Sequence, residues 1–350
     1  MDLLSNKESR SKLLSVILLF LAIAIIIVQL SLSQFFYATG QNTIQARTFD
    51  SYKNTISTRG HFDLATGELI PGHNSTDYLY YNNFSGNATG DAQNALICPP
   101  QKEIVIYIHG DWADEASANE QVNRTAMSLE SNNYTIPLTS FSWDSNTPFS
   151  KEGWKDAKAI AASNGPKLAQ FILDFKDKCK ESNIRLIAHS LGAAVVNSTV
   201  VSLSNNPNTD FNITSVHLLG AAIDRGEIAS NATFGKAIEK VVDKFYNLRS
   251  PEDNMLEYIY RHIENEDALG LLGIQHSLPL PRDYNERQVD TEIPPIQDAD
   301  GNSKLDCFDF FVLLPGDNHC GYMGFRGLSP LDNIVRDDGS MDVVVQDWLE

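Results

Sequence analysis

The chain has 350 residues, 42% of them hydrophobic, and a formal net charge of −18. That length and apolar content support one large α/β domain with appendages, or two modest domains. The acidic balance argues against nucleic acid as a partner and against docking on anionic lipid.

The N-terminus differs from the rest. Lys7, Arg10 and Lys12 precede the apolar run LLSVILLFLAIAIIIV at 13–28, which weakens through Leu30, Leu32, Phe35 and Phe36. A spanning helix needs about 20 apolar residues, and a signal-peptide core is shorter. The run falls between the two and leans to a signal-anchor over 1–38, with cleavage after Ala38 as the alternative. No charge follows until Arg47, so the basic flank faces the cytoplasm and the remainder lies outside. N-x-S/T sequons at Asn74, Asn83, Asn87, Asn123, Asn133, Asn197, Asn212 and Asn231 agree with export. Residues 39–95, rich in Asn, Thr, Ser and Gly, read as a stalk followed by short strands in TRGHFDLATGEL and DYLYY.

From 96 to 350 strands and helices alternate. EIVIYIHG (103–110) is a short apolar run ending in Gly, a buried strand. QVNRTAMSLESN predicts a helix, and IPLTSFSWDS (136–145) a strand. A long helical region follows, which Gly165-Pro166 breaks or kinks. IRLIAHS (184–190) is a strand and LGAAVVNSTVVSLS a helix. ITSVHLLGAAI (213–223) and KFYNLRS are further strands, with EDNMLEYIYRHI a helix after them. FDFFVLLPG (308–316) is the last strand, and MDVVVQDWLE a closing helix. The alternation predicts an α/β fold, a mostly parallel sheet covered on both faces. Ligands in such sheets bind beyond the carboxyl ends of the strands.

Three polar residues fall at those ends. Ser190 ends one strand and precedes a helix, Asp253 follows FYNLRSPED, and His319 follows FFVLLPGDN. A serine hydroxyl needs a base to take its proton, and the base needs a carboxylate to fix its tautomer. The turn AHSLG has small residues, Ala188 and Gly192, two positions either side of Ser190, as a strained turn requires. The helix that begins at Leu191 would aim its first N–H groups at a developing oxyanion. The turn YIHGDW supplies a second N–H, that of Asp111, whose acidic side chain is expected to point away from the negative charge. Ser190 could instead cap its helix, and Asp253 could cap NMLEYIY. Asp224, after HLLGAAI, is the competing acid; His217, His262 and His276 are the competing bases, and His109 and His189 are supporting residues.

IHGDW, AHSLGA, YNLRSPEDNML and DNHCGYM, in that order, resemble the α/β-hydrolase superfamily, its lipase- and esterase-like members above all. The resemblance covers roughly 100–350 and implies Ser190 as nucleophile, His319 as base and Asp253 as acid, with Leu191 and Asp111 donating to the oxyanion. The departures are Ala188 in place of Gly and the acidic Asp111. On the sheet order the family implies, Cys98 and Cys179 precede neighbouring strands and Cys307 and Cys320 flank the last one, so the expected bridges are 98–179 and 307–320.

A second constellation is DADGNSKLDCFD (298–309). Asp298, Asp300, Asn302, the Lys304 carbonyl, Asp306 and Asp309 have the alternating oxygen spacing of a calcium loop, with Leu305 as its apolar anchor. It resembles EF-hand and dockerin-type loops, although Ser303 stands where Gly is usual and Asp309 where Glu is usual. A bound Ca2+ would be structural, pinning the segment that leads to His319; a metal-free acidic turn is the alternative.

The expectation is a membrane-anchored extracytoplasmic serine hydrolase acting on a small-molecule or lipid ester, which needs no cofactor for its chemistry. The rivals are a non-catalytic binding or adhesion domain on the same scaffold, and an amidase or peptidase of the same fold.

Overall fold

The computed structural model describes residues 52–82, 96–136, 138–293, 319–326 and 336–350. The apolar segment at 1–38, the acidic loop at 298–309 and the strand predicted at 308–316 lie outside the described residues. Among the described residues no helix is long and apolar enough to cross a membrane.

The elements follow in chain order. Strands β1 (Tyr52–Ser57) and β2 (Leu79–Asn82) come first. Then come β3 (Glu103–Ile108), α1 (Glu115–Ser131), β4 (Leu138–Ser142) and α2 (Lys151–Lys178). Next are β5 (Asn183–His189), α3 (Gly192–Asn205), β6 (Ser215–Leu219), α4 (Thr233–Val241) and β7 (Phe245–Arg249). A π-helical turn (Met255–Tyr260) and the short helices α5 (Arg261–Glu264) and α6 (Leu269–Leu272) lead to β8 (Tyr284–Gln288). The two-residue strands β9 (Phe325–Arg326) and β10 (Arg336–Asp337) precede the closing helix α7 (Met341–Leu349).

Eight strands form one sheet in the order β2-β1-β4-β3-β5-β6-β7-β8. Only β2 runs antiparallel to its neighbour. The period-two alternation of β3 explains why both faces are covered. Ile104, Ile106 and Ile108 join the core beneath α2, α3 and α4, while Val105 and Tyr107 join the one beneath α1 and α7. Register then positions the site. Ile108 pairs with Ala188 and Ala188 with Leu218, so Gly110, Ser190 and Gly220 emerge side by side at the carboxyl ends of β3, β5 and β6.

Four features depart from the sequence expectations. β2 is the strand expected in DYLYY, but β1 forms where no strand was read, and both belong to the main sheet, so residues 52–82 are part of the α/β domain. TRGHFDLATGEL is mostly turn, with one bridge between Phe62 and Leu69. β8 lies in a stretch with no strand signal. Finally, α2 runs unbroken through Pro166. Proline removes one helical N–H, which orphans the carbonyl four residues back. Here that carbonyl, Ala162 O, accepts from Ser198 Oγ of the neighbouring α3 at 2.6 Å, so tertiary packing replaces the lost bond.

Cys98 and Cys179 form a disulfide with a Cα–Cα distance of 5.4 Å, as expected. Cys320 is also disulfide-bonded, while Cys307 lies outside the described residues. The 98–179 bridge precedes β3 and β5, at the end of the sheet opposite Ser190. It closes a loop with a sequence separation of 81, which constrains the unfolded chain strongly. A Cys98→Ser/Cys179→Ser variant should therefore lose about 4 kcal/mol of stability, read as a lower denaturation midpoint. Its turnover at 25 °C should stay near wild type; a large loss of turnover in the folded variant would contradict the separation of bridge and site.

Candidate active site

Ser190 sits in the turn between β5 and α3 with φ of 54°, the left-handed region. A non-glycine residue there costs about 1–3 kcal/mol, and the surroundings must hold it. They do so through its backbone: the Ser190 N–H donates to Leu219 O (2.9 Å), and its carbonyl accepts from Ala222 N and Ala193 N (both 3.1 Å). The turn also needs room on the β3 side. A Cβ on Gly110 would lie 2.8 Å from Ser190 Cβ. The bland alternative for Ser190 fails, because α3 is capped at Leu191 with no side-chain hydrogen bond.

His319 is buried, and its Nδ1 lies 2.8 Å and 3.0 Å from the two carboxylate oxygens of Asp253. Asp253 follows β7, is fully buried, and accepts a further bond from Leu256 N–H at 3.0 Å. Carboxylates accept only, so Nδ1 carries the proton and Nε2 is left as the basic nitrogen. Gly220, with φ of 54°, makes room for this pair: a Cβ there would meet the Tyr322 ring at 2.7 Å and Asp253 Oδ2 at 3.1 Å.

Ser190 and His319 line one small cavity of about 30 Å³ together with Asp111, Trp112, Gln121, Trp154, His189 and Met255. A larger cavity, about 550 Å³, lies away from it between α2 and the loop after α3, among Gln170, Asp174, Asn206 and Phe211; no histidine, cysteine or serine lines it.

The competing residues serve elsewhere. Asp224 caps a turn by accepting from Gly226 N–H at 2.7 Å. His217 is buried in mid-strand, stacked on Tyr246 and 3.6 Å from Asp347. His262 lies in α5, and His276 in a turn before β8. Leu191 and Asp111 flank Ser190 as expected, and neither backbone N–H has an acceptor among the described residues. The Asp111 side chain is buried, and burial pushes its pKa well above the usual carboxylate range. The calcium-loop residues Asp298, Asp300, Asn302, Lys304, Asp306 and Asp309 lie outside the described residues.

The supporting residues were only partly foreseen. His109 donates from Nδ1 to Gly110 O (2.8 Å), and its Nε2 accepts from Trp143 N–H and Arg59 Nη2 (both 3.1 Å). Burial, then the Arg59 charge, holds its pKa well below the usual value, so it stays neutral. Arg59 was not anticipated. It straps the turn after β3, donating to Ala113 O (2.9 Å), Asp114 O (3.3 Å) and Ser142 Oγ (2.9 Å). His189 donates from Nε2 to the His319 carbonyl at 2.8 Å, and burial lowers its pKa to about 3. Nothing in a linear motif ties residue 59 to residue 109, so only the fold reveals the strap.

One other cluster has metal-ligand chemistry among the described residues: His61, His73 and Asp77, with ligand atoms within 4.8 Å of one another. The buried Lys167 ammonium already pairs with Asp77. It also donates to the Asn74 and Asp77 carbonyls. A cation is therefore built into this cluster.

The family match agrees with the topology. The family described as "Alpha/beta hydrolase of unknown function (DUF900)" matches residues 86–304, a span that includes Asp111, Ser190 and Asp253 and stops short of His319. Among solved structures, the catalytic core domain of acetyl xylan esterase from Trichoderma reesei is similar at 12% identity, with 37% of this chain and 66% of that chain covered and a TM-score of 0.25. Phospholipase PlaB from Legionella pneumophila in complex with thio-NAD is similar at 13% identity, covering 45% of this chain and 39% of that one, with a TM-score of 0.27. The chain thus spans less than two thirds of the length of either protein. No curated protein matches the sequence.

Proposed function

Because the chain belongs to the α/β-hydrolase family matched over residues 86–304, we propose that it is a serine hydrolase that cleaves carboxylic esters. One observation carries the proposal: His319, paired with Asp253, and a positive-φ serine, Ser190, border the same cavity. In the proposed cycle Ser190 Oγ attacks the ester carbonyl, and His319 Nε2 takes the hydroxyl proton. Asp253 holds Nδ1–H and stabilises the imidazolium. The Leu191 and Asp111 N–H groups receive the oxyanion. The alcohol leaves with the proton from Nε2, and water repeats the sequence to release the acid and restore Ser190.

The location proposed for this chemistry is outside the cytoplasmic membrane, on an N-terminal anchor. The apolar run at 13–28 with its basic flank supports it, as does the Cys98–Cys179 bridge, since such bridges persist in oxidising compartments. A structural Ca2+ in the 298–309 loop is proposed from its alternating oxygen donors alone.

The test is covalent labelling. A fluorophosphonate should modify the full chain at Ser190, located by peptide mass spectrometry, and p-nitrophenyl acetate should block the labelling competitively. Labelling at another serine, or turnover of a p-nitroanilide in preference to the ester, would sink the ester-hydrolase assignment.

A further inference from the structure

The cavity beside Ser190 is small, and its apolar lining is braced. It encloses about 30 Å³, room for about two water-sized groups. Its apolar walls are Trp112, Trp154 and Met255, which come from the turn after β3, the start of α2 and the π-helical turn after Asp253. Trp112 has a φ of 52°, a left-handed conformation that is strained for so bulky a residue and persists where the surroundings hold it. Its N–H donates to Ser145 O at 2.9 Å, and its ring lies against Phe149 (centroids 4.6 Å apart) and Trp154 (6.0 Å). Trp154 is 4% exposed. Its Nε1–H donates to Glu264, which also accepts from Lys158 Nζ at 2.9 Å, and Tyr260 meets its ring edge-on at 5.9 Å. Neither indole can turn aside without breaking these contacts, so the space beside Ser190 does not stretch to fit a larger group.

We propose that Trp112 and Trp154 restrict the acyl group to very short chains, so that the substrates are acetyl-type esters. The inference rests on the serine-hydrolase assignment and deepens it. The acyl group is the part of the ester that must fit beside Ser190 in both half-reactions. It stays bonded to Oγ after the alcohol has left, until water releases it. The alcohol is under no such limit, because it departs with its proton before the second half-reaction begins. An acetyl group sets a carbonyl and a methyl beside Oγ, which matches room for about two small groups. An octanoyl chain is several methylenes longer and meets the indole rings instead of open space.

The experiment uses the full chain with p-nitrophenyl acetate, butyrate and octanoate, which share one leaving alcohol. It compares wild type with Trp154→Ala and Trp112→Gly. Glycine suits the left-handed φ at position 112, so that variant removes the ring and the strain together. The readout is kcat/KM for octanoate divided by kcat/KM for acetate, a ratio that does not depend on how much of a preparation is folded. Wild type should favour acetate by about 100-fold. Each variant should move the ratio toward octanoate by at least about tenfold, with butyrate between the two. Tryptophans that served the fold alone would, when removed, slow all three esters together and leave the ratio where it was. A wild type that cleaves octanoate within about tenfold of acetate overturns the inference, whether or not the variants fold. So does an unchanged ratio in either variant. Fluorophosphonate labelling separates the two failures. A labelled Ser190 with no preference for short chains defeats this inference alone, whereas an unlabelled Ser190 defeats the hydrolase assignment and this with it.

Discussion

Ser190→Ala should lower kcat for p-nitrophenyl acetate by about a million-fold and leave the fold intact. The size follows from the cooperation of the groups. Without Oγ the basic nitrogen of His319 has no alcohol to activate, and the oxyanion donors have no tetrahedral intermediate to hold. The residual rate over water would come from binding and from the oxyanion donors. Stability should barely change, because Ser190 makes no cap bond and its backbone bonds to Leu219, Ala222 and Ala193 survive the substitution. The left-handed φ of 54° costs alanine as much as serine, so no strain is added or released. Hydrolysis within tenfold of wild type, measured in a variant with an unchanged unfolding temperature, would remove Ser190 from the chemistry.

Asp253→Asn should lower kcat by about 10,000-fold, for a different reason. The isosteric amide keeps the shape of a fully buried side chain. Its oxygen must face Leu256 N–H, where Asp253 Oδ1 now accepts at 3.0 Å. The amide NH2 is then left facing His319 Nδ1 across the 2.8 Å contact. A donor there forces Nδ1 to become the acceptor and moves the ring proton to Nε2, the nitrogen that must be bare to take the Ser190 proton. Fluorophosphonate labelling should slow in parallel with turnover. The Ser190→Ala/Asp253→Asn double variant should be no slower than Ser190→Ala alone, because the two residues act as one unit. Additive losses would mean that Asp253 acts on something other than the serine–histidine transfer.

Much of the frame was legible because burial writes itself into sequence. β3, β5, β6 and β7 are short apolar runs whose ends carry Gly110, Ser190, Gly220 and Ser250, and parallel strands covered on both faces cannot look otherwise. Ser190 and Asp253 were visible for the same reason, each a polar residue just past such a run, while the run before His319 lies outside the described residues. The edge strand β2 was legible in DYLYY, but β1 beside it and the opposite edge strand β8 were not. β1 reads YKNTIS, with Ile56 as its buried apolar residue, and β8 reads YNERQ. β8 is held by charge partners instead: Arg249 with Glu286 and Arg287 with Asp347. The passage of α2 through Pro166 depended on Ser198, thirty-two positions on by its number, and the raised pKa of Asp111 depended on its burial in the folded chain. Both are properties of assembled space, which local pattern does not encode.

Arg59 also bears on where the catalytic unit begins. The family match starts at residue 86, and a truncation placed there would look natural. It would remove β1, which is hydrogen-bonded along β4, and with it the one guanidinium that ties Ser142, Ala113, Asp114 and His109 together. The cut would leave β4 as a raw sheet edge and the Asp111 turn without its brace. The smallest piece of this chain able to hold its Asp111 turn therefore starts no later than Tyr52.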